Sequence, residues 1–156
     1  MTGSVTETVP GGSETALVLW KASRAVAARA VASIEHTGLC FSDFGVLEAL
    51  LHKGPLPVSV LGRKQLLTSG SITTAVDRLV ARALVQRTND SGDRRIRLVE
   101  LTAEGGRLIR PAYARHAADL DAVASVLTPE ERSTLVALLR KLGLAAASVA
   151  EESETE

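Results

Sequence analysis

Ser69, Ser71, Thr73, Thr74 and Arg78 place four hydroxyls and one guanidinium within ten consecutive positions. Hydroxyls this short exchange hydrogen bonds with a phosphate oxygen or a base edge without holding the backbone at a distance. Thr68, just before them, is a residue that caps a helix by accepting from a backbone N–H two or three positions on. The free N–H groups and positive dipole end of such a helix favour an anion beside the hydroxyls. Ile72, Val76, Leu79 and Ala83 recur at helical spacing and define one apolar face. The other side carries Gly70, Thr73, Thr74, Asp77, Arg78 and Ala81, without the long Glu and Lys side chains common on a merely solvated face. Ser and Thr also occur on plain surface helices, so this helix alone leaves nucleic-acid contact and an inert surface both open.

The elements around that helix narrow the choice. Leu84-Val85-Gln86-Arg87 reads as a short strand, and Thr88 to Arg94 as a turn-rich loop. Arg95 to Leu101 alternates charged and apolar residues, as a half-buried strand does. The hairpin presents Arg87, Arg94, Arg95 and Arg97 on or beside its tip. A groove-sized helix followed by an arginine-bearing hairpin is the winged helix-turn-helix arrangement. A short helix over about 57–66 precedes it, with Val58, Val60 and Leu61 inward. Arg63 and Lys64 near its end suit phosphate contact, or simply the negative end of the helix dipole. Asp77 would repel phosphate unless neutralised, so the sequence predicts a pair with Arg78 or with an arginine of the hairpin.

Five pieces of this stretch carry a resemblance. Leu67-Thr68-Ser69-Gly70-Ser71, Val76-Asp77-Arg78-Leu79, Leu84-Val85, Asp93-Arg94-Arg95 and Leu101-Thr102-Ala103-Glu104-Gly105 resemble, in order and spacing, the signatures of MarR-type transcriptional regulators. The likeness spans roughly residues 14–146. It departs at Ala83, where the family usually has glycine; a left-handed backbone there would strain an alanine. The resemblance implies a mainly α fold with a small β-hairpin wing, built into an intertwined helical dimer. It also implies that Asp93 and Arg94 steady the wing and place an arginine at the minor groove. Small aromatic or phenolic effectors bind such proteins between the dimer helices and the DNA-binding lobe. Trp20, His36, Cys40, Phe41 and Phe44 could line that pocket here, or could be ordinary core.

Length and composition agree with one such domain. The chain has 156 residues, enough to bury a core, and that core is largely Leu, Val and Ala because only 3% of residues are aromatic. No stretch approaches the roughly 20 uninterrupted apolar residues of a membrane span. Met1 to Gly12 lack a basic start and apolar centre, so a cytoplasmic location is expected. The formal net charge of zero conceals an uneven distribution. Arg63 to Arg110 hold 10 Arg and Lys against 5 Asp and Glu, a net +5. Pro111 to Glu156 hold 4 against 8, a net −4, and Met1 to Gly62 hold 4 against 5, a net −1.

Residues 1–12 read as a disordered arm, 13–150 as the domain and 151–156 as an acidic tail. Within the domain, helices at about 13–38 and 111–146 are apolar enough for a dimer interface, flanking a winged helix-turn-helix over about 42–101. Gly38 should stop the first helix; Ser42 and Asp43 start the next, which Lys53-Gly54-Pro55 ends. Pro111 should kink or interrupt the helix that opens at Thr102-Ala103-Glu104. Thr128-Pro129-Glu130-Glu131 is a capping box with proline at the first helical position, and Gly143 should end that last helix unless Leu144 to Val149 carry it on as a frayed extension.

Other chemistry is thin. Cys40 is the sole cysteine, which excludes an internal disulfide and zinc-cluster spacing. With His36 it could form a thiol nucleophile pair, but no orienting third group is recognisable. A buried inert cysteine fits better, with oxidant or electrophile sensing as the other reading. His36, His52 and His116 are scattered, so no metal or other cofactor is expected. The expected partners are therefore double-stranded DNA, a second copy of the chain and a small effector. The competing class is a winged-helix protein-interaction module, which would need apolar residues on the outer face of the 69–83 helix.

Overall fold

The computed structural model describes residues 9–65, 67–89 and 97–153. The wing residues Asp93, Arg94 and Arg95 and most of the N-terminal arm lie outside them. Two compact units meet within a helix, one up to residue 119 and one from residue 120.

In the first unit, α1 (Gly12–Ile34) is a run of good helix formers. A 3-10 turn at Glu35–Thr37 follows, and Gly38 closes it in the left-handed region at φ 63°. Of α1 only Ala30, Ser33 and Ile34 are buried, so most of its apolar stripe is uncovered in the protomer. α2 (Phe41–Lys53) buries Phe44, Val46, Leu47 and Leu50 and stops at Gly54. The next residues differ from expectation. Pro57 does not open a helix but belongs to a two-residue strand, β1 (Leu56–Pro57). Proline is tolerated there because β1 is an edge strand, in the order β1-β3-β2.

α3 (Val58–Gln65) and α4 (Ser69–Ala81) form the helix-turn-helix. Thr68 caps α4 as expected, its Oγ1 accepting from the Ser71 N–H at 3.2 Å. α4 buries Ile72, Ala75, Val76 and Leu79. Ala83, assigned to that face by its spacing, is off the helix and exposed; Ala75 fills the place instead. β2 (Val85–Asn89) and β3 (Arg97–Leu101) then pair antiparallel, from Val85 opposite Leu101 to Asn89 opposite Arg97. Val85 and Val99 turn into a core with Phe44, Leu47, Leu61, Ile72, Leu79 and Ile109.

Ala83 has φ 54°, the one non-glycine residue with positive φ among those described. A Cβ in that region costs about 1–2 kcal/mol. The turn persists because the Ala83 carbonyl accepts from Thr102 Oγ1 at 2.7 Å while its own N–H donates to Val80 O at 2.9 Å. Ala83→Gly should raise stability by about 0.5–1 kcal/mol, the relieved strain exceeding glycine's extra freedom when unfolded. Denaturant melts read it; a lower midpoint would show that the turn does not strain its alanine.

α5 (Ala103–Ala124) runs on through Pro111, so of the expected kink or interruption the interruption does not occur. Pro111 is exposed, so water can serve the Arg107 carbonyl that loses its helical donor. In the second unit, α6 (Pro129–Ser153) begins at the expected capping box. Glu131 N–H donates to Thr128 Oγ1 at 3.2 Å, and Thr128 N–H donates to Glu131 Oε2 at 2.8 Å. Gly143 does not end α6. One glycine costs about 1 kcal/mol in a helix, and the Leu144-Ala145-Ala146-Ala147 run beyond it outweighs that. Glu151 to Ser153, read as tail, are its last turn.

Candidate nucleic-acid interface

The apolar positions of α4 fix which side faces solvent. Ser69, Gly70, Ser71, Thr73, Thr74, Asp77 and Arg78 are all exposed. The Ser69 and Gly70 N–H groups lie in the first turn, where a helix offers them no partner. The hydroxyls are engaged locally: Thr73 Oγ1 donates to Ser69 O at 2.8 Å and Thr74 Oγ1 to Gly70 O at 3.0 Å. Thr68 Oγ1 and Ser71 Oγ lie 2.9 Å apart. Arg63 and Lys64 are exposed at the end of α3.

Both charges on the face of α4 are already spoken for. Arg78 turns back onto α2, with Nη2 2.6 Å from Asp43 Oδ1 and Nε 3.1 Å from Oδ2. Asp43 is only 4% exposed, and its hydrogen bonds and charge hold the guanidinium well above its ordinary pKa. Arg78 therefore braces α4 against α2, a fork-on-carboxylate geometry that orients both helices. Asp77 pairs not with Arg78 but with Arg87 of β2, at 2.6 Å. That pair neutralises the carboxylate on the face, as the sequence required, and ties the wing strand to α4. Asp43 escaped sequence reasoning because a first-turn aspartate looks like a helix start, and its partner lies 35 positions away.

The wing is anchored at its base by the Thr102-Ala103-Glu104-Gly105 segment. Thr102 Oγ1 donates to Ala83 O and accepts from the Gly105 N–H at 3.0 Å, capping α5 onto the turn after α4. Thr102 N–H donates to Leu84 O at 3.1 Å. Gly105 lies against that same carbonyl; a Cβ on it would fall 1.9 Å from Leu84 O. Leu84 thus joins α4, through its N–H on Leu79 O at 2.9 Å, to β2 and, through its carbonyl, to the start of α5.

This combination of braced helix, edge-capped sheet and anchored hairpin is a winged helix-turn-helix, and residues 37–96 match the profile of the MarR family. MhqR, an HTH-type transcriptional regulator of Bacillus subtilis, is 38% identical over 128 residues, covering 82% of this chain and 88% of its own length. The chain belongs to the MarR family. It is a DNA-binding transcriptional regulator. The HTH-type transcriptional repressor MdtR of Bacillus subtilis is 31% identical over 114 residues, 73% of this chain and 74% of its own. Among solved structures, BpsR of Bordetella bronchiseptica, whose DNA binding is regulated by 6-hydroxynicotinic acid, is 28% identical. It superposes with a TM-score of 0.66 over 80% of this chain and 98% of its own. These relatives are regulators and not enzymes by name, and no described helix is long and apolar enough to cross a membrane.

Within this MarR-family fold the residues considered for an effector pocket separate. Phe44 is core, 1% exposed, with its ring 5.0 Å from His116. Trp20 and Phe41 are about half exposed, and Arg24 lies over the Trp20 ring at 5.2 Å. His36 is exposed in the 3-10 turn. Cys40, expected buried, is exposed at the N-cap of α2, with Sγ 3.2 Å from Ser42 Oγ and 3.5 Å from Arg78 Nη2. A buried polar contact in the α1–α2–α5 packing is one the sequence did not single out. Ser33 Oγ lies 2.7 Å from Ala30 O and 2.6 Å from His116 Nδ1, both contacts buried.

Proposed function

We propose that the protein is an effector-responsive repressor that binds a pseudo-palindromic operator as a homodimer in the cytoplasm. The observation that carries this is α4: one side wholly buried, the other small, hydroxyl-lined and stripped of uncompensated negative charge. Two such helices on a twofold enter successive major grooves about 34–36 Å apart. Ser69 and Ser71, with the first-turn amides, contact phosphates, and Arg63 and Lys64 hold the backbone beside them. Thr73 and Thr74 face the bases. Arg94 or Arg95, on a wing steadied by Asp93, enters the flanking minor groove, where narrow A·T-rich stretches attract arginine. Arg78 and Arg87 serve by orienting α4 and the wing. The second copy covers the apolar faces that α1 and α6 leave open. An aromatic or phenolic effector, of the class that regulates BpsR, changes the spacing of the two lobes, and affinity falls because one spacing fits both grooves.

Selection from random duplex DNA tests this reading: enrichment of an inverted repeat supports it, and failure to enrich any duplex ends it. On the selected operator, Arg94→Ala should weaken binding and flatten the log–log salt dependence by about one unit of slope. An unchanged slope would remove Arg94 from the phosphates and groove.

Exposure of Cys40 favours a second mode of control. An adduct on its sulfur would press on Arg78 Nη2 and so on the brace between α2 and α4. Alkylation by N-ethylmaleimide should then weaken operator binding several-fold in the native chain and leave Cys40→Ser unaffected. Full alkylation without loss of affinity dismisses the thiol.

A further inference from the structure

We propose that this regulator picks its operator chiefly through thymine methyl groups, met in the major groove by the methyls of Thr73 and Thr74, and not through arginine on guanine. The inference rests on the reading that α4 enters the major groove.

The strongest direct readers of a base edge are Arg or Lys on guanine and Asn or Gln on adenine, each making paired hydrogen bonds. The exposed side of α4 holds no Lys, Asn or Gln. Its single arginine, Arg78, has already used two donors on the buried Asp43 carboxylate. Its single acid, Asp77, which could accept from a cytosine amine, is occupied by Arg87. Both charged side chains of this face are thus turned toward protein partners, Arg78 onto α2 and Asp77 onto β2, and away from a paired contact with a base edge.

What remains is shaped by two further hydrogen bonds. Thr73 and Thr74 each donate the hydroxyl back along the helix, to Ser69 O and Gly70 O. A threonine Cβ carries just a hydroxyl and a methyl, so turning the hydroxyl to the helix leaves the methyl as the group offered outward. Gly70, one turn before Thr74, has open space where a side chain would stand, which lets a base edge come close. The thymine C5-methyl is the apolar feature of the major groove, and a threonine methyl is among its recognised partners. Burying one methyl in such a contact is worth about a fourfold change in affinity.

The test uses the full chain and the duplex it selects from a random pool. That duplex is remade with deoxyuridine for every thymine in the half-sites, which deletes C5-methyls alone. A second copy carries 7-deazaguanine for every guanine, which deletes the N7 acceptor alone. The uridine duplex should bind at least about fourfold more weakly, while the 7-deazaguanine duplex binds as before. Replacing both threonines by serine keeps the back-donated hydroxyls but removes their methyls; this variant should bind thymine and uridine duplexes equally. A loss confined to 7-deazaguanine, or a serine variant that still prefers thymine, overturns the inference while leaving α4 in the groove. Selection of no duplex at all overturns the groove reading and this inference together.

Discussion

Gly105→Ala should cost about 2–3 kcal/mol of stability, while Gly106→Ala, one position along the same helix, should add about 1 kcal/mol. The two substitutions make the same chemical change and differ in what the methyl meets. At Gly105 it would lie 1.9 Å from Leu84 O and 2.9 Å from Leu84 C, both backbone atoms. No rotamer relieves such an overlap. Either α5 moves off the turn or the turn moves off β2, and either shift strains the Thr102 hydrogen bonds to Ala83 O and Leu84 O. At Gly106 nothing lies within 4 Å, so alanine gains its ordinary helix preference. Denaturant melts of both variants should bracket the parent chain. Equal midpoints would mean that α5 does not pack on Leu84 as described. Because the same carbonyl seats the wing, Gly105→Ala should also weaken operator binding in protein that remains folded.

That joint marks a boundary between what is legible in the chain and what is not. Local signals are legible where a residue acts on its own neighbours. Thr68 caps α4, Gly38 closes the turn after α1, and Thr128 with Glu131 boxes the start of α6. The strand expected over 95–101 is described from Arg97 on, as β3, with Val99 its buried residue. Elsewhere tertiary contact overrides the local cue. Pro57 pairs with Leu98 in a strand too short to show alternation. Ala83 matched the helical period but was drawn into the left-handed turn by Thr102. Gly143 does not stop α6, and the continuation over Leu144 to Val149 is the one of the two expected endings that forms.

At the interface the composition of the outer face was visible in the sequence, but the pairing of its charges was not. Arg78 and Asp77 are adjacent in the chain, yet each finds its partner on another element, Asp43 on α2 and Arg87 on β2. Ser33 and His116 meet across 83 positions. Such pairs depend on how helices cross, and one sequence carries no periodic trace of that.

Putting glutamate at Leu138 and Leu142 together should reduce operator affinity by about 100-fold or more while leaving the protomer folded. Leu135, Leu138, Leu139 and Leu142 recur at helical spacing on α6, and each is at least 40% exposed in the isolated chain. A protomer does not need these side chains buried, so charging two of them should spare its own core. In the proposed dimer a second copy does need them, since an apolar stripe of this length in water favours association. Once the twofold is lost, each winged unit binds its half-site alone and forfeits the effective concentration that its partner supplied. Sedimentation should show a monomer, circular dichroism should show unchanged helix content, and affinity for a single half-site duplex should match that of the parent. A variant that still sediments as a dimer, or a monomer that still holds the full operator tightly, would detach α6 from the twofold.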